Sequence, residues 1–202
     1  MEPFFRGVAI GFAIAAPVGP IGVLCIRRTI AGGMPVGLAS GLGAAAADAL
    51  YAALATFALT VATTFFARVT QPLHLIGGVF LLWLGVTTAL RSAPADAAAA
   101  NAPRAYAGAF LSTFGLTVVN PATIVSFAAV IAGAAFGSQP PAGFAAVRLV
   151  AGVFAGSALW WLLLSAGVGI VRRGLTPLAV RAVNVASGIV LVSFGVLAIA
   201  RR

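Results

Sequence analysis

Charge is what this 202-residue chain has least of: 7% of its residues are charged, against about 25% in an ordinary soluble domain. Acidic residues are the scarcest, only Glu2, Asp48 and Asp96, and lysine is absent, so all twelve basic residues are arginine and the net charge is +9. The single cysteine, Cys25, excludes an intramolecular disulfide, a redox pair and a cysteine metal cage, and reads as a packing residue. With one histidine as well, no metal site and no cofactor are expected. The arginine excess does not point to nucleic acid. Such a footprint needs a basic face interleaved with polar and aromatic residues, whereas these arginines stand singly or in pairs between apolar stretches. The longest polar stretch, Arg91 to Arg104, is a linker and too short for a soluble domain.

What fills the chain is apolar: 62% of residues are hydrophobic. Charge-free runs of 20, 19, 22, 23 and 19 residues lie between Arg6 and Arg27, Asp48 and Arg68, Arg68 and Arg91, Arg148 and Arg172, and Arg181 and Arg201. About 20 apolar residues in a helix cover the ~30 Å hydrocarbon core of a bilayer. Six hydrophobic elements follow, at 4–27, 35–66, 72–90, 105–137, 144–170 and 177–200. They are predicted to be helices, because irregular backbone cannot face lipid unpaired and the runs are too continuous for alternating barrel strands. The opening segment, with Glu2, a Pro-Val-Gly-Pro break and Arg27-Arg28, is expected to belong to the fold and not to a removed leader.

The chain also repeats itself. The third and sixth elements align at an offset of 110, superimposing Gly78 on Gly188, Leu81 on Leu191, Gly85 on Gly195 and Val86 on Val196. The first and fourth align at 101, setting Gly7 over Gly108, Gly19 over Asn120 and Pro20 over Pro121. The second and fifth align at 109, setting Asp48 over Ser157. Three spans are an odd number, so the second copy enters the membrane from the opposite side. The expectation is an all-α polytopic membrane protein, one transport domain over 1–202, with a 3+3 inverted-topology repeat of 1–91 and 105–202 joined by the linker 92–104. By the positive-inside rule the loops after elements one, three and five, with seven arginines, are cytoplasmic, although Arg201-Arg202 then fall outside.

Two positions invite chemistry. In Pro17-Val18-Gly19-Pro20-Ile21-Gly22 the prolines break the first element, Gly19 can take a positive φ, and Pro20 can start a half-helix that leaves the N–H groups of Ile21, Gly22 and Val23 free for an anion. Asn120-Pro121-Ala122-Thr123 repeats the device in the fourth element, whose 33 residues are too long for one crossing and too short for two. Asp48 is the sole acidic residue inside a span. A carboxylate at that depth normally faces a cavity and marks an ion or substrate route; it suits binding and release of a proton, which Ser157 cannot perform. Tyr51, one turn away, either binds substrate or packs. Thr117 and Ser126 either join Asn120 and Thr123 as ligands or bond their own helix backbone. Trp83, Trp160 and Trp161 read as packing or interface residues, and His74 as interfacial.

The segment Pro17-Val18-Gly19-Pro20-Ile21-Gly22 through Arg27-Arg28-Thr29, then Gly37 to Tyr51, resembles the first half of the lysine exporter family of bacterial amino-acid exporters. Phe110 to Phe114 and Leu116 to Ile124 resemble the start of that family's second half. The resemblance covers nearly the whole chain and implies a multi-pass exporter of amino acids or related metabolites in the bacterial inner membrane, with Asp48 and the broken-helix prolines as functional positions. The short, alanine-rich 91–104 linker departs from the family. An amino acid would set its carboxylate at the N–H groups after Pro20 or Pro121 and its ammonium by Asp48, and protonation of Asp48 would release it. The partners expected are an amino acid, protons and the bilayer, with a homodimer among the contacts the small-residue stripes allow. Two other readings are weaker. A divalent-metal exporter, the alternative beside an exporter of another small solute in the same superfamily, calls for more carboxylates, and an intramembrane enzyme calls for a convergent nucleophile and base that the chain does not supply.

Overall fold

The computed structural model describes residues 2–17, 19–57, 103–120, 123–124, 126–127, 143–174 and 176–200, together with 75, 79, 81–83, 85–87, 89 and 90 of the third element. Every regular element among them is helical. In chain order these are α1 (Pro3–Ala15), α2 (Pro20–Gly32), α3 (Met34–Phe57), α4 (Pro103–Val118), α5 (Phe144–Val171), a short 3₁₀ turn (Arg172–Gly174) and α6 (Pro177–Ala200). Four of the six α-helices open with proline at their first residue (α1, α2, α4 and α6), where its missing N–H costs nothing.

The predicted first element is two helices. α1 and α2 meet at 82° across Ala16 to Gly19. α3 and α5 are each long and apolar enough to cross a bilayer, and the bent α1–α2 pair makes a third span if it is taken as one. Residues 178–193 of α6 form a shorter apolar stretch. The parts of the second and fourth elements beyond Phe57 and Phe127, and the linker up to 102, lie outside the described residues.

Close packing explains the small residues. α1 lies along α5 with Gly7 and Gly11 against Gly152 and Gly156, and a Cβ on any of the four would overlap backbone of the opposite helix. α3 packs on both α4 and α5, and α2 rests on α3, α5 and α6. Gly33, at φ 90°, turns the chain from α2 into α3 in a single residue. One core cluster joins Leu24, Cys25, Ala44, Ala45, Leu116 and Trp161 to Leu81 and Leu191, the pair superimposed by the 110-residue offset. Opposite surfaces stay apolar, as at Leu111 and Ile189, which suits a lipid solvent. Trp83, 60% exposed, belongs to that outer surface, whereas Trp160 packs edge-on against Phe12.

Arg27 and Arg28 do not end the first span in a loop. α2 continues past them to Gly32, Arg27 is buried, and Arg28 turns inward. Its Nη1 donates to Ser40 Oγ (2.7 Å), Thr113 Oγ1 (2.7 Å) and the Ala109 carbonyl (2.9 Å), and its Nη2 to Ser112 Oγ (2.8 Å). A planar guanidinium with five donors can hold α2 to α3 and α4 in this way. These two arginines therefore leave the count of loop charges on which the orientation was read.

Candidate functional site

The two breaks are built alike. Gly19 caps α2, and its carbonyl accepts the N–H of Val23 at 3.1 Å. Asn120, at offset 101, does the same for Ile124, also at 3.1 Å. Two details differ from the sequence expectation. Gly19 sits in extended backbone at φ −112°, since the chain can leave the helix before Pro20 without a left-handed residue. The Val23 N–H is already bonded, being the first donor with a carbonyl inside the helix to reach, so the donors with no partner within α2 are those of Ile21 and Gly22.

A cavity of about 250 Å³ opens between the breaks. Ile14 and Ala15 from α1, Pro17 and Gly19 from the break, and Pro20, Ile21 and Gly22 from the start of α2 line one side. Ala44 and Asp48 of α3, Trp161 of α5, Thr117, and Asn120, Thr123 and Ser126 around the second break complete it. Eight residues singled out from sequence, Pro17, Gly19, Pro20, Ile21, Gly22, Asp48, Asn120 and Thr123, thus share one space. Pro121 and Ala122, like Val18, lie outside the described residues.

Tyr51 is placed elsewhere. Its buried ring stacks on Phe127 with centroids 5.5 Å apart, and its hydroxyl donates to the Val118 carbonyl at the end of α4. It ties α3 to the threshold of the second break and does not line the cavity. Thr117 lines the cavity while donating to the Thr113 carbonyl of its own helix, and Asn120 Nδ2 donates to Thr123 Oγ1 at 3.0 Å.

Asp48 is buried and held by one neighbour across the helix pair: Ser157 Oγ donates to its Oδ2 at 2.7 Å. Trp161 Nε1 in turn donates to Ser157 Oγ at 3.1 Å. The indole fits a slot on α3, because a Cβ at Gly41 would overlap Cβ and Cγ of Trp161. Gly41 and Asp48 are seven residues apart and share a helix face, which makes that face at once a slot and an acid. Neither the binding partner Ser157 nor the wall residue Trp161 was singled out for the site. The signals were present in the 109-residue offset and in a glycine two turns from the acid. Among the described residues no three His, Cys, Asp or Glu side chains gather where they could hold a metal.

Chemically, the cavity offers a carboxyl group on one side and a helix N-terminus on the other, with apolar side chains between. That arrangement complements a small solute carrying both charges.

The family model described as LysE type translocator matches residues 12–202. Over 127 residues, the chain is 31% identical to the inferred amino acid efflux protein YcgF of Bacillus subtilis (strain 168), a match covering 62% of this chain and 60% of that relative. No solved structure gives a significant match.

Proposed function

The chain belongs to the LysE-type translocator family of membrane transporters, and from that premise we propose that it exports amino acids or related small metabolites across the bacterial inner membrane, coupled to proton entry. The relative described as an amino acid efflux protein supports the substrate class. The observation that carries the reading is the shared cavity: Asp48 and the start of α2 at Ile21 and Gly22 face the same space. A zwitterion sets its carboxylate against those N–H groups and its ammonium by Asp48. Proton binding at Asp48 removes the charge that holds the ammonium, so a proton entering from outside favours release of the solute there. Asn120 and Thr123 form the opposite half of the site.

Alternating access comes from the rocking of two inverted repeats, 1–91 and 105–202, within one multi-pass transport domain. Three matched features support this, one from each pair of elements. Gly19 and Asn120 offer equivalent carbonyls to the next helix, Asp48 meets its counterpart Ser157, and Leu81 and Leu191 share a core cluster. The packing exchanges in the same sense, α1 lying on α5 and α4 on α3. Gly108 and Gly115, exposed seven residues apart on α4 and facing open space among the described residues, leave a small-residue face that suits a homodimer.

Binding of labelled amino acids to the purified protein tests the substrate class. Saturable binding that is lost in Asp48→Asn is expected. Folded protein that binds none of them transfers the site to another small solute.

A further inference from the structure

The Asp48–Ser157–Trp161 chain has a direction. The indole N–H donates to the serine oxygen, and the serine O–H donates to the carboxylate. Both bonds are buried, and Trp161 at the far end is a wall of the cavity. A hydrogen-bond chain that ends on an anion is charge-assisted along its length, each bond polarising the next. When the carboxylate is neutralised by a proton, or turns to a substrate ammonium, Ser157 loses that assistance and its hold on the indole weakens. The rest of the indole's fixation is steric, in the slot left by Gly41.

We propose that Trp161 is a positioning residue that transmits the charge state of Asp48 to the shape of the substrate cavity, through Ser157. This rests on Asp48 being the proton site of the exporter, but not on the identity of the solute. In the ionised state the indole is held on α3 and the cavity has the form described above. In the neutral state only the steric hold of the Gly41 slot remains, and the indole gains freedom to shift within the cavity. The device gives the proton two effects from one event: loss of the charge that holds an ammonium, and movement of the wall that the rest of the solute touches.

Among the described residues, the other charged or titratable groups on the elements packed around α3 are Arg6 of α1, Cys25, Arg27 and Arg28 of α2, Arg104 and Tyr106 of α4, Tyr51 of α3 itself, and Glu2 at the start of α1, which pairs with Arg148 of α5 about 20 Å along that helix from Trp161. Asp48 is the carboxylate in hydrogen-bond contact with the Ser157–Trp161 pair, so a charge change beside Trp161 is assigned to it.

The test is the fluorescence of Trp161 in the full-length protein, in detergent or liposomes without any solute. Trp83 and Trp160 are replaced by Phe, since neither lines the cavity. The emission is expected to titrate with pH along a single curve, with an amplitude about tenfold smaller in Asp48→Asn and clearly reduced in Ser157→Ala. The same signal is available without the double replacement, as the difference between the wild type and Trp161→Phe. Emission that does not change with pH, or that titrates equally in Asp48→Asn, overturns the proposal whether or not amino acids are transported. Transport supplies a second readout: Trp161→Phe keeps an aromatic ring but not the N–H, and its gradient-driven accumulation should fall about tenfold. Accumulation equal to wild type in that variant also overturns it.

Discussion

Ser157 donates its hydroxyl proton to Asp48 across 2.7 Å from a position 109 residues further along the chain. That separation is the offset at which the second and fifth hydrophobic elements align. Equivalent residues of two repeats touch only where a two-fold axis passes between them, so the contact sets the acid at the pseudo-symmetry axis of the proposed repeat. It also makes the site asymmetric, with one partner able to carry a charge and the other only to donate a hydrogen bond.

Asp48→Asn should leave the fold intact, because the amide oxygen still accepts the Ser157 hydroxyl, yet it removes the anion. Transport is expected to fall at least about tenfold, while elution profile and helical content remain those of the wild type. Asp48→Leu, by contrast, leaves Ser157 without its acceptor and should lower stability by about 1–3 kcal/mol, measured by thermal unfolding in detergent.

Tyr51→Phe keeps the stack on Phe127 but leaves the Val118 carbonyl without the phenol. Stability should drop by about 1 kcal/mol, and the residual transport should show an unchanged KM, since the ring does not line the cavity. A raised KM with full stability would instead assign Tyr51 to substrate.

Gly41→Ala should displace Trp161 from its slot on α3. The expected cost is about 1–3 kcal/mol from overpacking, together with weaker solute binding. The double variant Gly41→Ala with Trp161→Leu should recover the stability but not the binding, as judged by unfolding midpoints and a binding assay.

Arg28→Lys should not be a conservative change. A single ammonium cannot reach Ser40, Ser112, Thr113 and the Ala109 carbonyl together, so a loss of about 1–3 kcal/mol is expected, with α2 loosened from α3 and α4. Hydrogen exchange that quickens in α2 would report it.

The sequence made some of this legible and hid the rest for a common reason. Asp48 stands out because a charge in an apolar run is costly, and Pro17, Pro20 and Pro121 stand out because proline interrupts a helix by its own covalent structure. Each is a local signal. Arg28, Tyr51 and Trp161 were misplaced or left undecided because their roles depend on other helices. Arg28 finds hydroxyls 12, 84 and 85 residues away, Tyr51 a carbonyl 67 away, and Trp161 a glycine slot on α3. A positive charge beside the end of a predicted span looks like a loop residue until small hydroxyl side chains on two neighbouring helices are known to surround it. The φ of Gly19 was misjudged because glycine permits a left-handed backbone without requiring one.

The central claim is that one cavity couples a proton at Asp48 to movement of an amino acid. It is tested most directly by uptake of labelled amino acids into liposomes holding the protein under an imposed pH gradient, with wild type and Asp48→Asn side by side. Accumulation that follows the gradient in the wild type and is lost in the variant is the predicted result. Equal, gradient-driven accumulation in the variant would contradict it.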